Sequence, residues 1–585
     1  MKKEYVLILS MLVLLWGCKN EPGTDSREAS SIVISQILSD PPTLHPINGA
    51  YQVKGRILYY VHQRLTRLDL ATGERMPALA KALPTLSEDG LTLEYEIHPD
   101  AAWEDGTPIV AEDVVFSAKA AKSPLNVSQA GAALYSLLKD VVPDPDNPKK
   151  FSLVMNEKNV FSPYLTNELY ILDKRVYDPE GLLDNFSFTQ FADTSSSFRE
   201  HPDMVSWANF FNDDKFGRDL KYLSSGSGPY KVVDWIPGQQ VVIEKRPNYW
   251  GANIQSPSHS QKADKIIFKV VNDEKSLELQ IKQEAIDVSM GISTQTYRAL
   301  KKSDKATANY DIGYRTKESS AYILINTRPD GSRSNLALRD QAVRRALSLL
   351  VPVDEIIERY YDGMAKRVVS PVNPASSDYN NNLPLVPFSI DSAKAVLAAD
   401  GWKDLDGDLI LDKVIDGQQV SLKLSLTILN NRETITNMAT LIKQQMAKAG
   451  IEIAVNPLEL SRLVSEVRNH NYELVMLATT NSSLPYDFSQ LWHSSTWITG
   501  ENMTGFGTPE SDRLVLAAPL NLDPVSRKQQ VDRIQEIIFE EVPAIFLFSN
   551  TMKYVIHKRY GKREVSSISP FVLMNDLEPQ KVAQK

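Results

Sequence analysis

Residues 435–455 read ITNMATLIKQQMAKAGIEIAV. Ile435, Met438, Ile442, Gln445 and Ala449 recur at intervals of three and four, the spacing of one helical face. Gly450 follows the last of them, where a glycine ends a helix by taking up left-handed backbone. Ile451, Ile453 and Val455 then alternate with the period of a strand. Helix, glycine, alternating strand is an α/β unit, and it predicts a mixed sheet flanked by helices.

The same grammar extends outward. Ala393–Ala399 is a second helix ending at a glycine, Gly401. Leu336, Val343, Leu347 and Leu350 share a helical face on which Asp340 and Arg344 are spaced for an i,i+4 pair. Leu91, Leu93, Tyr95 and Ile97 alternate with Thr92, Glu94 and Glu96 as a half-buried strand, and Phe151, Leu153 and Met155 repeat the pattern. Ser31–Ile37, Val241–Ile243 and Ile266–Val271 read as further strands. Asn253–Gln261 and Asn373–Asn382 read as loops, too short for interdomain linkers. No repeat of about 20–50 residues is visible, which disfavours solenoids and propellers.

The chain has 585 residues, enough for several domains or one multi-lobed body. Acidic residues outnumber basic ones 73 to 64, so the net charge is −9 and a phosphate-tracking nucleic-acid binder is excluded. A hydrophobic content of 42% supports sizeable cores and excludes global disorder. The single cysteine, Cys18, allows no intrachain disulfide and no cysteine-based zinc cluster.

Motifs for catalysis do not emerge. The histidines at 45, 62, 98, 201, 259, 470, 493 and 557 include no i,i+4 pair, so a zinc-hydrolase helix has no support. There is no GxSxG elbow, phosphate loop or GxGxxG, and neither a cofactor nor a metal is called for. Asp404, Asp406, Asp408 and Asp412 have the acidic spacing of a calcium loop. Leu409 stands where that loop needs glycine, which favours a solvated acidic turn.

Residues 1–18, MKKEYVLILSMLVLLWGC, place Lys2 and Lys3 before an apolar run from Val6 to Trp16. That run is too short for a bilayer-spanning helix, which needs about 20 apolar residues, and reads as a signal-peptide core. Leu15-Trp16-Gly17-Cys18 resembles the lipobox of bacterial lipoproteins, although Trp16 is bulkier than that pattern favours. The resemblance implies a signal peptide over 1–17, lipidation of Cys18, and a polar tether over 18–30 holding the protein to a membrane in the cell envelope.

Five separate stretches together resemble one family. They are LTRLDLATGERMPALAKALPTLSEDGLTLEYEIHPDAAWEDGTPIVAEDVVFS (65–117), Gly226-Ser-Gly-Pro-Tyr230 with Arg246-Pro-Asn-Tyr-Trp-Gly251, the region Arg339–Ile357, Ala393–Asp408, and Asn502–Leu514. In this order they are similar to the extracellular solute-binding proteins of the peptide/nickel type (family 5), receptors of ABC importers. Read as plain chemistry, Trp103–Gly106 is a turn, Asp113 sits in a helix's first turn, and Tyr249 and Trp250 are packing residues. Gly226 and Gly228 are expected to supply backbone angles that other residues resist.

The resemblance implies an α/β, two-lobed periplasmic-binding-protein-like fold of type II with three subdomains. Residues 31–50, 185–273 and 550–585 form the main subdomain of lobe I, residues 51–184 its extra subdomain, and residues 274–549 lobe II. The chain crosses near Asn272–Lys275 and returns near Phe548–Thr551. A peptide or peptide-like solute is trapped between the lobes and passed to ABC permease subunits, the receptor acting as a monomer without covalent chemistry. Tyr51, Thr480, Asn481, Asp487, Trp492 and Trp497 lie in segments that line the family's cleft. Peptide-binding members carry an Asp that pairs with the ligand's ammonium; here Asn481 takes its place, so either Asp487 substitutes or the solute is not a free-amine peptide. The glycine of the family's "GeiDv" element is Ala285 here, ahead of Asp287. Two rivals stand beside this reading: a surface lipoprotein using the scaffold for adhesion or chaperone-like binding, and an exported hydrolase.

Overall fold

The structure is a computed structural model describing residues 31–49, 51–127, 132–192, 195–328, 335–374, 376–430, 432–480, 485–499 and 501–580. Eleven strands form its main sheet: β1 (Ile32–Ile37), β2 (Tyr230–Ile236), β3 (Gln240–Lys245), β4 (Lys265–Val270), β5 (Val288–Met290), β6 (Tyr310–Ile325), β7 (Lys366–Arg367), β8 (Lys423–Leu429), β9 (Glu452–Leu458), β10 (Leu474–Thr480) and β11 (Ala544–His557). Their order is β9-β8-β10-β6-β11-β5-β1-β4-β3-β2, with β7 on β11. The sheet is mixed: β1–β4 and β8–β9 are parallel, while β6–β11 is antiparallel.

The unit at 435–455 is the crossover between two parallel neighbours. Helix Glu433–Ala447 buries Met438, Leu441, Ile442 and Met446 and leads into β9, which lies beside β8. Gly450 turns the chain at φ +79°, and a Cβ there would come within 2.8 Å of Leu411. The second glycine-ended helix spans Ile390–Ala399, and the alternating strand Thr92–Glu96 buries Leu93 and Tyr95 while exposing Glu94.

Two local expectations are corrected. Asp340 and Arg344 do not pair. Asp340 ends one helix and caps the next, Gln341–Leu349, accepting from Ala342 N at 3.0 Å, and its other oxygen takes Lys413 Nζ at 2.9 Å. Arg344 turns instead to Glu541 and to the carbonyls of Leu338 and Arg339. Gly226 and Gly228 have no unusual backbone angle; they are needed for space. A Cβ at Gly226 would lie 2.3 Å from Val61 O, and one at Gly228 2.4 Å from Tyr60 O.

Strands β6 and β11 run through both halves of the molecule. Tyr310–Thr316 pairs with Thr551–His557, the register breaks between Thr316 and Ser320, and Ser320–Leu324 pairs with Ala544–Ser549. Residues 274–309, expected beyond the first crossover, associate with the first half: β5 pairs with β1 and β11, and Leu277, Ile281, Leu300 and Ala306 share a core with Val271 and Val555. A four-stranded sheet (Thr85–Leu86, Thr92–Glu96, Lys150–Met155, Leu138–Pro143) builds a separate core with helix Ala111–Lys122. Helix Tyr51–Val61 packs on the main core of the first half, not on this one. In the second half, helices cover both faces of β8, β9, β10 and the ends of β6 and β11.

Candidate functional site

The parallel strands β1 and β4, with β5, end together at the point where β6 and β11 leave the first half. Ligands of open α/β sheets sit outside such carboxyl ends. A cavity of about 230 Å³ opens there, lined by Gln36, Val53, Arg56, Asp273, Met290 and Gly291 among others. A larger one, about 700 Å³, lies against β6 and β11, between the hairpin tip at Leu68–Ala71 and the C-terminal segment 562–577. Phe571 of the larger cavity lies 5.1 Å from the guanidinium of Arg56, so the two adjoin.

Small polar residues line the passage between the halves. Asn550 Nδ2 donates to Ser319 Oγ at 3.3 Å, and Asn373 Nδ2 donates to Ser549 Oγ at 3.1 Å. Hydroxyl and amide groups thus sit on both crossing strands beside the broken register, where a strand can bend.

The chain approaches the site through a pinned loop. Lys54 is buried and its Nζ donates to the carbonyls of His45, Asn48 and Gly49 at 3.0, 2.6 and 3.3 Å. Burial lowers its pKa to about 8. His45 Nδ1 accepts from Ile47 N and Asn48 N, so its Nε2 carries the hydrogen donated to Phe211 O at 2.8 Å. Burial brings this imidazole down to about 4, keeping the acceptor nitrogen unprotonated.

The six expected contact residues occupy different environments. Tyr51 begins helix Tyr51–Val61 and Thr480 ends β10; their backbones lie within these elements, and their side chains are outside the described set. Asn481, like the lipidation residue Cys18, lies outside the described residues. Asp487 is exposed and its Oδ1 accepts from Ser489 N at 2.8 Å, forming a turn within its own loop. Trp492 is buried near Phe506 and Phe546 and donates Nε1–H to Tyr486 OH at 3.1 Å. Trp497 is buried and stacks on His470 at 4.2 Å. Tyr249 and Trp250 are packing residues: Tyr249 OH meets His259 Nδ1 at 2.7 Å, and Trp250 Nε1 donates to Ser227 O at 3.0 Å.

Three groups carry no sequence motif to announce them: Arg56, Lys54, and the pair of buried Asp378 with half-buried Arg527. Arg527 holds Asp378 through both oxygens at 2.8 and 2.6 Å, and Asp378 Oδ2 accepts from Tyr486 N, fixing the chain just past residue 484. Asp404, Asp406 and Asp412 converge with oxygens within 4.8 Å of one another. Asp404 binds the N–H groups of Gly407 and Leu409, and Leu409 itself takes the left-handed backbone at φ +70°.

The family profile described as "Bacterial extracellular solute-binding proteins, family 5 Middle" matches residues 74–500, well over half the chain. The chain belongs to bacterial extracellular solute-binding protein family 5. Among relatives of this family, the oligopeptide-binding protein AppA of Bacillus subtilis (strain 168) is 24% identical over 565 residues, covering 94% of this chain and 93% of the relative. The structure of AppA from Bacillus subtilis in complex with a nonapeptide superimposes with a TM-score of 0.70 at 21% identity, covering 94% of this chain and 99% of that one. The substrate-binding protein CtaP of Listeria monocytogenes superimposes with a TM-score of 0.72 at 19% identity, covering 94% and 100%. The fold is therefore the two-lobed one that the five sequence stretches implied, with a mixed sheet flanked by helices.

Proposed function

We propose that this family 5 protein is the receptor of an ABC importer, capturing a peptide or peptide-like solute between its lobes and presenting it to permease subunits. The observation that carries the reading is the full-length similarity to an oligopeptide-binding protein. In this reading lobe I comprises residues 31–316 and 551–580 and lobe II residues 320–549, because the strand register breaks between them. The return crossover stays near Phe548–Thr551, while the outgoing one moves from Asn272–Lys275 to Thr316–Ser320. Solute affinity for the closed form drives closure, since a ligand shifts an equilibrium only by its differential affinity. Tyr51, Thr480 and Asn481 are the proposed contacts; Trp492 and Trp497 act through packing. The receptor performs no covalent chemistry and works as a monomer, and lipidated Cys18 holds it to a membrane. Native mass spectrometry of protein purified without added ligand tests this: small-molecule mass released on denaturation supports it. Ligand-free protein that ignores a mixed peptide pool contradicts it.

A further inference from the structure

Several arginines are drawn into the interior, and their donors find acceptors. Arg67 donates to Tyr59 O, His62 O and Gln63 Oε1; Arg246 to Glu104 and two carbonyls; Arg559 to Asp287. Arg56 differs. It stands on helix Tyr51–Val61, is partly buried, lies over the ring of Phe571, and makes no hydrogen bond or ion pair among the described residues. Burial holds its pKa below the ordinary arginine value. None of its guanidinium nitrogens is among the fully buried atoms without a partner, so the five N–H donors of its planar fork stay open to the cavity it lines.

Gln36, Ser39, Asn272, Asp273 and Glu274 supply the polar lining of the cavity, and none of them bonds Arg56. Gln36 is occupied, its Nε2 on Val271 O and its Oε1 on Ser289 Oγ. Asp273 Oδ1 caps a helix through Ser276 N at 2.7 Å, and Glu274 Oε2 accepts from Ser293 N and Thr296 Oγ1. Those two carboxylates are aimed at helix starts. The volume, about 230 Å³, suits one residue-sized group at the carboxyl ends of β1, β4 and β5.

We propose that Arg56 is a recognition residue that receives a carboxylate of the bound solute in this cavity. The assignment rests on the receptor reading and adds the chemistry of the ligand. For a peptide the carboxylate is its C-terminus or an acidic side chain. A guanidinium–carboxylate fork supplies two parallel charge-assisted hydrogen bonds, worth about 10- to 100-fold in affinity. It also fits the neutral Asn481: recognition shifts from the ammonium end of the solute to a carboxylate.

The test uses full-length protein in detergent and three pentapeptide pools. The first lacks Asp and Glu and has free C-terminal acids, the second is the same pool amidated, and the third is amidated with one Glu per peptide. Capture is read by native mass spectrometry for wild type, Arg56→Gln and Arg56→Lys, with thermal melting as the check that each variant folds. Preference for the first pool over the second by about tenfold or more, lost in Arg56→Gln and partly restored in Arg56→Lys, supports recognition of the C-terminus. The same pattern for the third pool over the second supports an acidic side chain. Equal capture of all three pools, unaltered by Arg56→Gln, overturns the assignment and leaves the receptor reading standing. Failure of wild type to capture any pool overturns the peptide reading and the assignment together.

Discussion

Asp287 and Arg559 tie the two ends of the described chain together, and removing either is expected to loosen lobe I alone. Asp287 is 2% and Arg559 8% exposed. Arg559 Nε and Nη2 reach the two carboxylate oxygens at 3.0 and 2.8 Å, and Ile34 N adds a third donor at 2.8 Å. Arg559 Nη2 also donates to Ile32 O, so β1, β5 and the chain after β11 meet at one node. Asp287→Ala leaves a buried guanidinium with neutral acceptors only, and breaking such a pair costs about 3–5 kcal/mol. Arg559→Met strands the carboxylate and is expected to cost a similar amount. The double variant should recover much of either loss, because no charge is then left unpaired. Urea unfolding followed by fluorescence should resolve separate lobe transitions, since two-lobed proteins depart from two-state behaviour. Only the lobe I transition should move. A cost under about 1 kcal/mol for Asp287→Ala, or a double variant as damaged as the sum of the singles, would refute the reasoning.

The same geometry sets several further outcomes. Burial lowers the imidazoles of His45, His62 and His259 to about 4, 3 and 4, so between pH 6.5 and 4 the unfolded chain takes up protons that the folded chain refuses. Asp113, raised by burial to about 6, works the other way from pH 6 down to its ordinary value. The net of about two protons predicts a stability loss of roughly 2–3 kcal/mol per pH unit in urea titrations below pH 6, and a flat profile there would contradict it. Gly228→Ala, whose Cβ would meet Tyr60 O at 2.4 Å, should cost about 1–3 kcal/mol or more. Gly238→Ala, at φ +73° in open space, should cost about 1 kcal/mol by the same denaturation assay, and equal costs would undo the distinction. Cys18→Ser should move the protein from the membrane fraction to the soluble one, and unaltered fractionation would remove the anchor.

Local order was readable in the sequence wherever one element decides its own form. The 435–455 unit needed only its periodicity and Gly450, and helix, turn and strand all lie where that pattern puts them. Contacts made across the chain were not readable. Asp340 and Arg344 satisfy an i,i+4 rule, yet Lys413 and Glu541 compete for them from distant segments and win. Glycine patterns at 226 and 228 signalled a constraint without its kind, since the close carbonyls belong to helix Tyr51–Val61. Residues 274–309 look no different in sequence from the helices of lobe II, and only the pairing of β5 with β1 and β11 assigns them. Arg56 carries no motif; what marks it is the missing partner, which only coordinates reveal.

At the centre stands the proposal that this family 5 protein holds a small solute between its lobes. The most direct measurement is the mass of protein purified from its own cells under native conditions, compared before and after denaturation. Released species of peptide-like mass, each bearing a carboxylate, are the predicted result. Protein that carries no releasable solute, and whose melting temperature is indifferent to every peptide pool offered, would contradict it.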